Sequence, residues 1–405
     1  MRIGPATGAT FMLAAGAFCA LPAAAAVDLS GTATVGVMHD SNALQLSNVE
    51  TPPPSTGGSN RDDTTLNLGA SVAVKIGDGG PLQAQLQTTY THLESKLQDS
   101  LSRDDYQLSA NVDWKPSRIF DVSANASQNR LPLGLADVGG IQNIQQQTSQ
   151  VQGTLRLRPT PSWQLSLAPA WNETKTPLPG AEDFRLRQKS GMASLAFLGA
   201  GKLVPGISYT ESRSRNADIA NATRYQDEII QGTLNYQATG LSTFSFAAGH
   251  SRRTTHLITP SNDPVAQARE GTDGAFTGSV SYNRQLSVKT RMHISAFRYF
   301  QQYEAGVNNS VGTGFDVGAN WAPTRKIAVD LSAAYNWSTI DDLPIAGSIE
   351  QRKDLLRRYS LTLSYQATRL MSLRALLTRQ MRTSDVQVAQ YGGTIAGLEL
   401  SAKFD

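Results

Sequence analysis

Cysteine is all but missing from this chain. The only one, Cys19, lies close to the N-terminus, so the rest of the sequence can build neither a disulfide-stapled scaffold nor a thiolate metal site. Charge is scarce as well. Charged residues make up 17% and hydrophobic residues 40%, whereas a soluble domain carries ~25% charge and a larger apolar share. Beyond the N-terminal segment no stretch approaches the ~18 consecutive apolar residues of a membrane helix. The net charge of +3 gives no whole-molecule reason to expect nucleic acid as a partner. Catalytic signatures are absent too: there is no HExxH, GxSxG or glycine-rich phosphate loop. His39, His92, His250, His256 and His293 form no metal-spaced pair. The expectation is a non-enzyme with no metal and no cofactor.

The first residues point to export. Arg2 is a positive n-region, the stretch from Phe11 to Leu21 is mostly apolar, and Ala23, Ala24, Ala25 and Ala26 offer the small side chains a signal peptidase requires. The apolar run is too short to span ~30 Å of hydrocarbon, and Phe18 before Cys19 argues against lipidation. Residues 1–26 are therefore expected to be a cleaved signal peptide and residues 27–405 one domain. Without Arg2, Lys+Arg falls from 36 to 35 against 33 acids, a balance near +2.

What fills the gap left by charge is period-two alternation. Ile327, Val329, Leu331, Ala333, Tyr335 and Trp337 alternate with Ala328, Asp330, Ser332, Ala334, Asn336 and Ser338. The same rhythm runs through Leu66 to Ile76, Tyr106 to Trp114, Trp163 to Trp171 and Tyr359 to Tyr365. Strand geometry puts such residues on one face, where helical spacing would scatter them. Short turns such as Lys115 to Arg118, Pro159 to Ser162, Arg284 to Leu286 and Thr368 to Met371 alternate with longer polar loops such as Gln45 to Asp62 and Thr339 to Leu356. Eight short turns and nine loops delimit about eighteen strands, from one near 31–43 to one near 393–404, by way of 226–237, 287–301, 327–338 and 357–367. This predicts an all-β fold, a single transmembrane antiparallel β-barrel with both termini periplasmic, because a sheet in hydrocarbon must have no edge. Trp114, Phe120, Trp163, Tyr236, Phe244, Tyr282 and Trp321 flank the short turns as an interfacial girdle would. Arg298 and Arg379 fall on the lipid face, toward the loop ends, where a cation costs ~0–1 kcal/mol rather than the ~2–4 kcal/mol of the midplane. Either they snorkel to lipid phosphates or the register slips by one residue there.

If the alternation holds, Arg156, Arg158, Lys289, Arg291, His293, Phe297, Tyr299, Arg374 and Arg382 point into the lumen. Guanidinium groups pair carboxylates and aromatic faces pack on sugar rings, a combination suited to an acidic carbohydrate. Asp316, Asp330 and Glu399 also point inward, so salt-bridged lumen filler explains the same residues equally well. His250 with Ser251 is the nearest approach to a barrel hydrolase, and the two read more simply as loop-end polarity. Arg352, Lys353, Arg357 and Arg358 with Glu350 and Asp354 read as a solvated loop, and Pro52 to Gly58 as a loop tip.

The first strand ends in Gly36-Val37-Met38-His39-Asp40-Ser41-Asn42-Ala43-Leu44. This resembles the start of the β-barrel porin families, and within them the EpsL-type outer-membrane proteins of exopolysaccharide operons. Asp105-Tyr106 to Trp114, a proline turn, and Asn125 to Arg130 are similar too, as is Asn320-Trp321-Ala322-Pro323-Thr324. His39 replaces a common Tyr and Gln45 a frequent Arg. The resemblance implies a non-enzymatic outer-membrane conduit with no catalytic residues. Its expected partners are an exopolysaccharide chain, outer-membrane lipid, the barrel assembly machinery, and export, polymerase and co-polymerase proteins. The rival readings are a general or uptake porin, a barrel enzyme of the lipase or acyltransferase type, and an adhesin or receptor.

Overall fold

The computed structural model describes residues 27–47, 61–77, 80–97, 101–132, 145–177, 184–216, 223–258, 270–302, 309–345 and 348–404. The expected signal peptide and the Pro52 to Gly58 loop tip lie outside these residues. Eighteen strands account for most of the rest. They run β1 Val27–Asp40, β2 Asp63–Ile76, β3 Leu82–Ser95, β4 Arg103–Trp114, β5 Phe120–Pro132 and β6 Gln145–Thr160. Next come β7 Trp163–Thr176, β8 Phe184–Phe197, β9 Leu203–Asn216, β10 Thr223–Thr239, β11 Ser242–Leu257 and β12 Gly271–Ser287. The series ends with β13 Thr290–Gln302, β14 Asn309–Trp321, β15 Ile327–Ile345, β16 Ser348–Gln366, β17 Met371–Ser384 and β18 Tyr391–Phe404.

Every strand pairs antiparallel with its sequence neighbours, and β18 pairs with β1 from Gly31↔Phe404 to Asp40↔Ile395. The sheet therefore closes on itself with eighteen members, as the alternation predicts. One face carries Leu68, Leu331 and Leu398, which are 46%, 52% and 54% exposed. Large apolar side chains this bare, recurring around a closed sheet, mark an outward face built for a non-aqueous surrounding. The inward face is polar: Asn125 donates from its amide to Asn111 across β4 and β5, and Ser360 and Thr378 share a hydrogen bond of 3.1 Å across β16 and β17.

The short turns are built by their own residues. Ser117 Oγ accepts from the Phe120 N–H at 3.2 Å, Thr324 Oγ1 from Ile327 at 3.0 Å, and Thr368 Oγ1 from Met371 at 3.0 Å, so one hydroxyl closes each turn. Gly77 adopts φ +84°, and a Cβ there would sit 2.1 Å from the Leu82 carbonyl oxygen. Aromatic residues pack around these turns. Trp114 meets Phe120 edge-on at 5.8 Å, Trp163 lies 5.0 Å from Phe197, and Phe244 stacks 4.4 Å from Tyr282. They form the interfacial girdle at the short-turn end.

Two boundaries depart from the sequence expectation. A β-bulge between Gln285 and Ser287 carries β12 past the expected Arg284 to Leu286 turn, which falls instead at Val288 and Lys289. The residue added by the bulge restores the register, and period-two patterning cannot register it. At the opposite end, β15 and β16 continue to Ile345 and Ser348 through a bulge between Ile340 and Leu343. Thr339 to Leu356 is therefore mostly hairpin rather than loop. Above a membrane both faces of a hairpin meet water, so polar composition does not distinguish it from a loop.

Arg298 and Arg379 keep the expected outward register. Arg298 Nη1 donates to Thr313 Oγ1 at 3.3 Å and Arg379 Nη1 to Thr394 Oγ1 at 2.8 Å, both threonines being outward. Arg298 also closes a gap. β12 pairs with β11 as far as Gly271, but its ladder to β13 stops at Gly278↔Arg298, and Arg298 Nε donates to the Phe276 carbonyl beyond that point at 3.2 Å.

Candidate functional site in the barrel lumen

The strongest constellation lies on the inward face of β13 to β15. Tyr299, Phe297 and His293 stand in cross-strand register with Gly312, Gly314 and Gly318 of β14. A Cβ on those glycines would sit 2.1 Å from Tyr299 Cζ, 2.8 Å from Phe297 Cζ and 2.0 Å from His293 Cε1. The absence of side chains on β14 thus lets three rings lie against the wall, as aromatic residues cover glycines in other sheets. Phe297 and Tyr299 stack at 5.9 Å with 26° between planes. Polar groups fix the column. Asn336 Nδ2 on β15 donates to the Tyr299 hydroxyl at 2.8 Å, His293 Nε2 lies 3.1 Å from Asp316 Oδ2, and Ser295 Oγ donates to the same carboxylate. Nearer the short turns, Asn320 Nδ2 donates to Asp330 Oδ1 at 2.6 Å. The result is a strip of aromatic faces edged by held donors and acceptors.

The other expected lumen residues divide into paired and unpaired groups. Arg156 Nη1 and Arg158 Nη2 lie 3.1 and 3.2 Å from the two oxygens of the buried Asp121, and Arg158 Nε donates to Gln164 at 3.0 Å. Arg382 donates twice to Asp354 Oδ2, at 3.1 and 2.6 Å, and Arg352 joins the same oxygen at 3.0 Å. Arg352 and Asp354 are therefore buried strand residues rather than members of a solvated loop, because the hairpin carries β16 through them. Arg291 and Arg374 are exposed on the wall near the short-turn end and have no hydrogen-bond or ion-pair partner among the described residues. Lys289 is displaced from the wall: it sits in the β12–β13 turn, where Nζ donates to the Pro323 carbonyl at 2.6 Å.

One cluster escaped the sequence reading. Arg253 on β11 faces Asp227 on β10, with Nε to Oδ1 at 2.5 Å and Nη2 to Oδ2 at 3.0 Å. Its guanidinium lies 5.5 Å from the Tyr225 ring and 5.3 Å from the Phe300 ring, and Ser212 Oγ donates to Asp227 at 3.2 Å. The inward parity of both residues is a sequence signal; their opposition depends on register. His250 and Ser251 are consecutive in β11 and so point to opposite faces, with Ser251 only 1% exposed. No group of three or more His, Cys, Asp or Glu suited to a metal ion occurs among the described residues.

No protein-family model matches the chain, and no curated protein matches it. Among solved structures, the outer membrane channel DcaP of Acinetobacter baumannii is similar over 95% of this chain and 99% of its own, at 11% identity and a TM-score of 0.46. The copper transporter OprC is similar over 93% of this chain and 80% of its own, at 10% identity and a TM-score of 0.47. The siderophore receptor PirA from Pseudomonas aeruginosa is similar over 93% and 80%, at 9% identity and a TM-score of 0.44. At these identities the likeness is to the barrel architecture.

Proposed function

We propose that the protein is an outer-membrane channel through which a carbohydrate polymer leaves the cell, after export of the chain by its N-terminal segment. The bare apolar outer face and the turn-side girdle support a membrane placement in which the short turns are periplasmic. A barrel of about eighteen strands leaves an aqueous lumen. The observation that carries the carbohydrate reading is the Tyr299, Phe297 and His293 column on the inner wall. Sugar rings present apolar faces edged by hydroxyls, and this strip presents aromatic faces edged by Asn336, Asp316 and Ser295. The direction follows from the resemblance to exopolysaccharide-operon barrels. The second reading is a general porin, favoured by the unpaired Arg291 and Arg374, which suit small anions as well as an acidic polymer.

Single-channel recording separates the two. An acidic oligosaccharide added to the bath is expected to interrupt the ion current. Phe297→Ala with Tyr299→Ala should weaken that block about tenfold, corresponding to ~1.4 kcal/mol of lost contact. Free ion conduction with no block by any oligosaccharide would establish the porin instead.

A further inference from the structure

We propose that a groove on the outward face of β14 to β17 binds a phosphorylated, acylated glycolipid of the outer leaflet. One acyl chain would lie in the groove and a phosphate against Arg357 and Arg379. This rests on the outer-membrane placement argued above, and not on what passes through the lumen.

The groove has a volume of about 510 Å³. Ala319 and Ala333 leave a trough between Leu331, Leu361 and Leu377, with Tyr359 and Arg379 at one end. At roughly 30 Å³ per water-sized group, the space holds on the order of fifteen methylenes, or one acyl chain. Register sets the polar end: Tyr359 faces Arg379, and Arg357 stands opposite Tyr335. The Tyr335 and Tyr359 hydroxyls are hydrogen-bonded to each other. Arg357 and Arg379 stand nine and eight residues from the short-turn ends of their strands at Gln366 and Met371. With a rise of ~3.3 Å per residue and a tilt of ~40°, both lie about 20 Å up an apolar band ~25 Å tall, just below the outer interface.

The electrostatics call for an anion. On the outward face of β7 to β9 the arginines have acidic neighbours: Arg185 and Arg187 share Glu173, and Arg213 pairs with Glu211. Arg298 is held by a hydroxyl and a carbonyl and does not line the trough. Arg357 and Arg379 have no acidic neighbour among the described residues. Arg357 Nη2 donates to Thr383 Oγ1 at 2.8 Å and Arg379 Nη1 to Thr394 Oγ1 at 2.8 Å, and the buried Nε of Arg357 has no acceptor. A guanidinium carries five N–H groups; beyond the two threonine contacts and the buried Arg357 Nε, the remaining N–H groups of the pair are left for a ligand. Two unneutralised guanidiniums over an acyl-sized trough at headgroup depth match the phosphate and chain of an outer-leaflet glycolipid.

The test uses the full-length barrel purified in detergent, with retained lipid measured by native mass spectrometry. The probes are bisphosphorylated lipid A, its dephosphorylated form, and phosphatidylglycerol. Wild type should hold lipid A at least tenfold better than either alternative. Arg357→Gln with Arg379→Gln should remove that preference, and Ala333→Phe, which fills the trough, should weaken retention of lipid A. Heat-modifiable gel migration confirms that each variant is folded, and the arginine pair decides the matter if Ala333→Phe does not fold. Equal retention of phosphorylated and dephosphorylated lipid, or no effect of the arginine changes, overturns the proposal. Phosphatidylglycerol held as well as lipid A overturns the glycolipid assignment. If fractionation finds the protein outside the outer membrane, it is the placement that fails.

Discussion

Asp227→Asn is the sharpest perturbation the lumen offers. Arg253 and Asp227 are 5% and 11% exposed at their side chains, and the guanidinium lies between Tyr225 and Phe300. Removing the acid keeps shape and volume but strips a buried guanidinium of its bidentate partner. Loss of one member of such a pair costs ~3–5 kcal/mol, and the nearby aqueous lumen sets the expectation at the lower end, about 3 kcal/mol. Asp227→Asn with Arg253→Gln removes both charges and should cost clearly less than the two single changes added together. Urea unfolding in lipid vesicles, followed by tryptophan fluorescence, gives the four corners of the double-mutant cycle. A destabilisation below ~1 kcal/mol for Asp227→Asn, or strict additivity in the cycle, would refute the reading of this pair as a buried clamp.

Two further outcomes test the lumen wall. Arg291→Glu with Arg374→Glu should shift the reversal potential of the channel toward cation preference and reduce release of an acidic polymer. Lys289→Glu, whose ammonium is held on the Pro323 carbonyl, should leave both unchanged. Gly318→Ala places a methyl 2.0 Å from His293 Cε1 and should cost ~1–3 kcal/mol as the ring is driven from Asp316. Gly191→Ala meets nothing within 4 Å and should be near neutral in the same unfolding experiment.

The architecture was legible because lipid enforces it. Where every second residue must be apolar and no edge can remain, eighteen strands and the β1–β18 closure follow from pattern alone. Positions fixed by a local irregularity were not legible. The bulge before Ser287 moved Lys289 from wall to turn, and the β15–β16 hairpin turned Arg352 and Asp354 from loop charges into part of a buried cluster with Arg382. The candidate site was half visible. Parity placed His293, Phe297 and Tyr299 inward, but their value as a column depends on Gly312, Gly314 and Gly318 arriving opposite them, which is a matter of cross-strand register. Asp227 and Arg253 stayed hidden for the same reason.

Pairing within the lumen bears on how a polymer could pass. Salt-bridged filler and a ligand path read as alternatives in the sequence, yet the structure places both on the inner surface of one barrel, on different strands. Arg156 and Arg158 share Asp121, and Arg382 shares Asp354 with Arg352, so each cluster keeps its geometry and offers a passing chain one net positive charge rather than two. A side chain already ordered loses little further freedom when a ligand touches it, so such contacts form without rearranging the wall. The ring column adds apolar area in the same preordered state. Arg291 and Arg374, at the same short-turn end as Arg156 and Arg158, differ in having no hydrogen-bond or ion-pair partner among the described residues. If the short turns are periplasmic, these are among the first cations an acidic chain meets on its way out. Attraction by free cations at the entrance and preordered, partly neutralised groups on the rest of the inner surface suit outward passage of a charged polymer, since tight binding anywhere along the path would stop it.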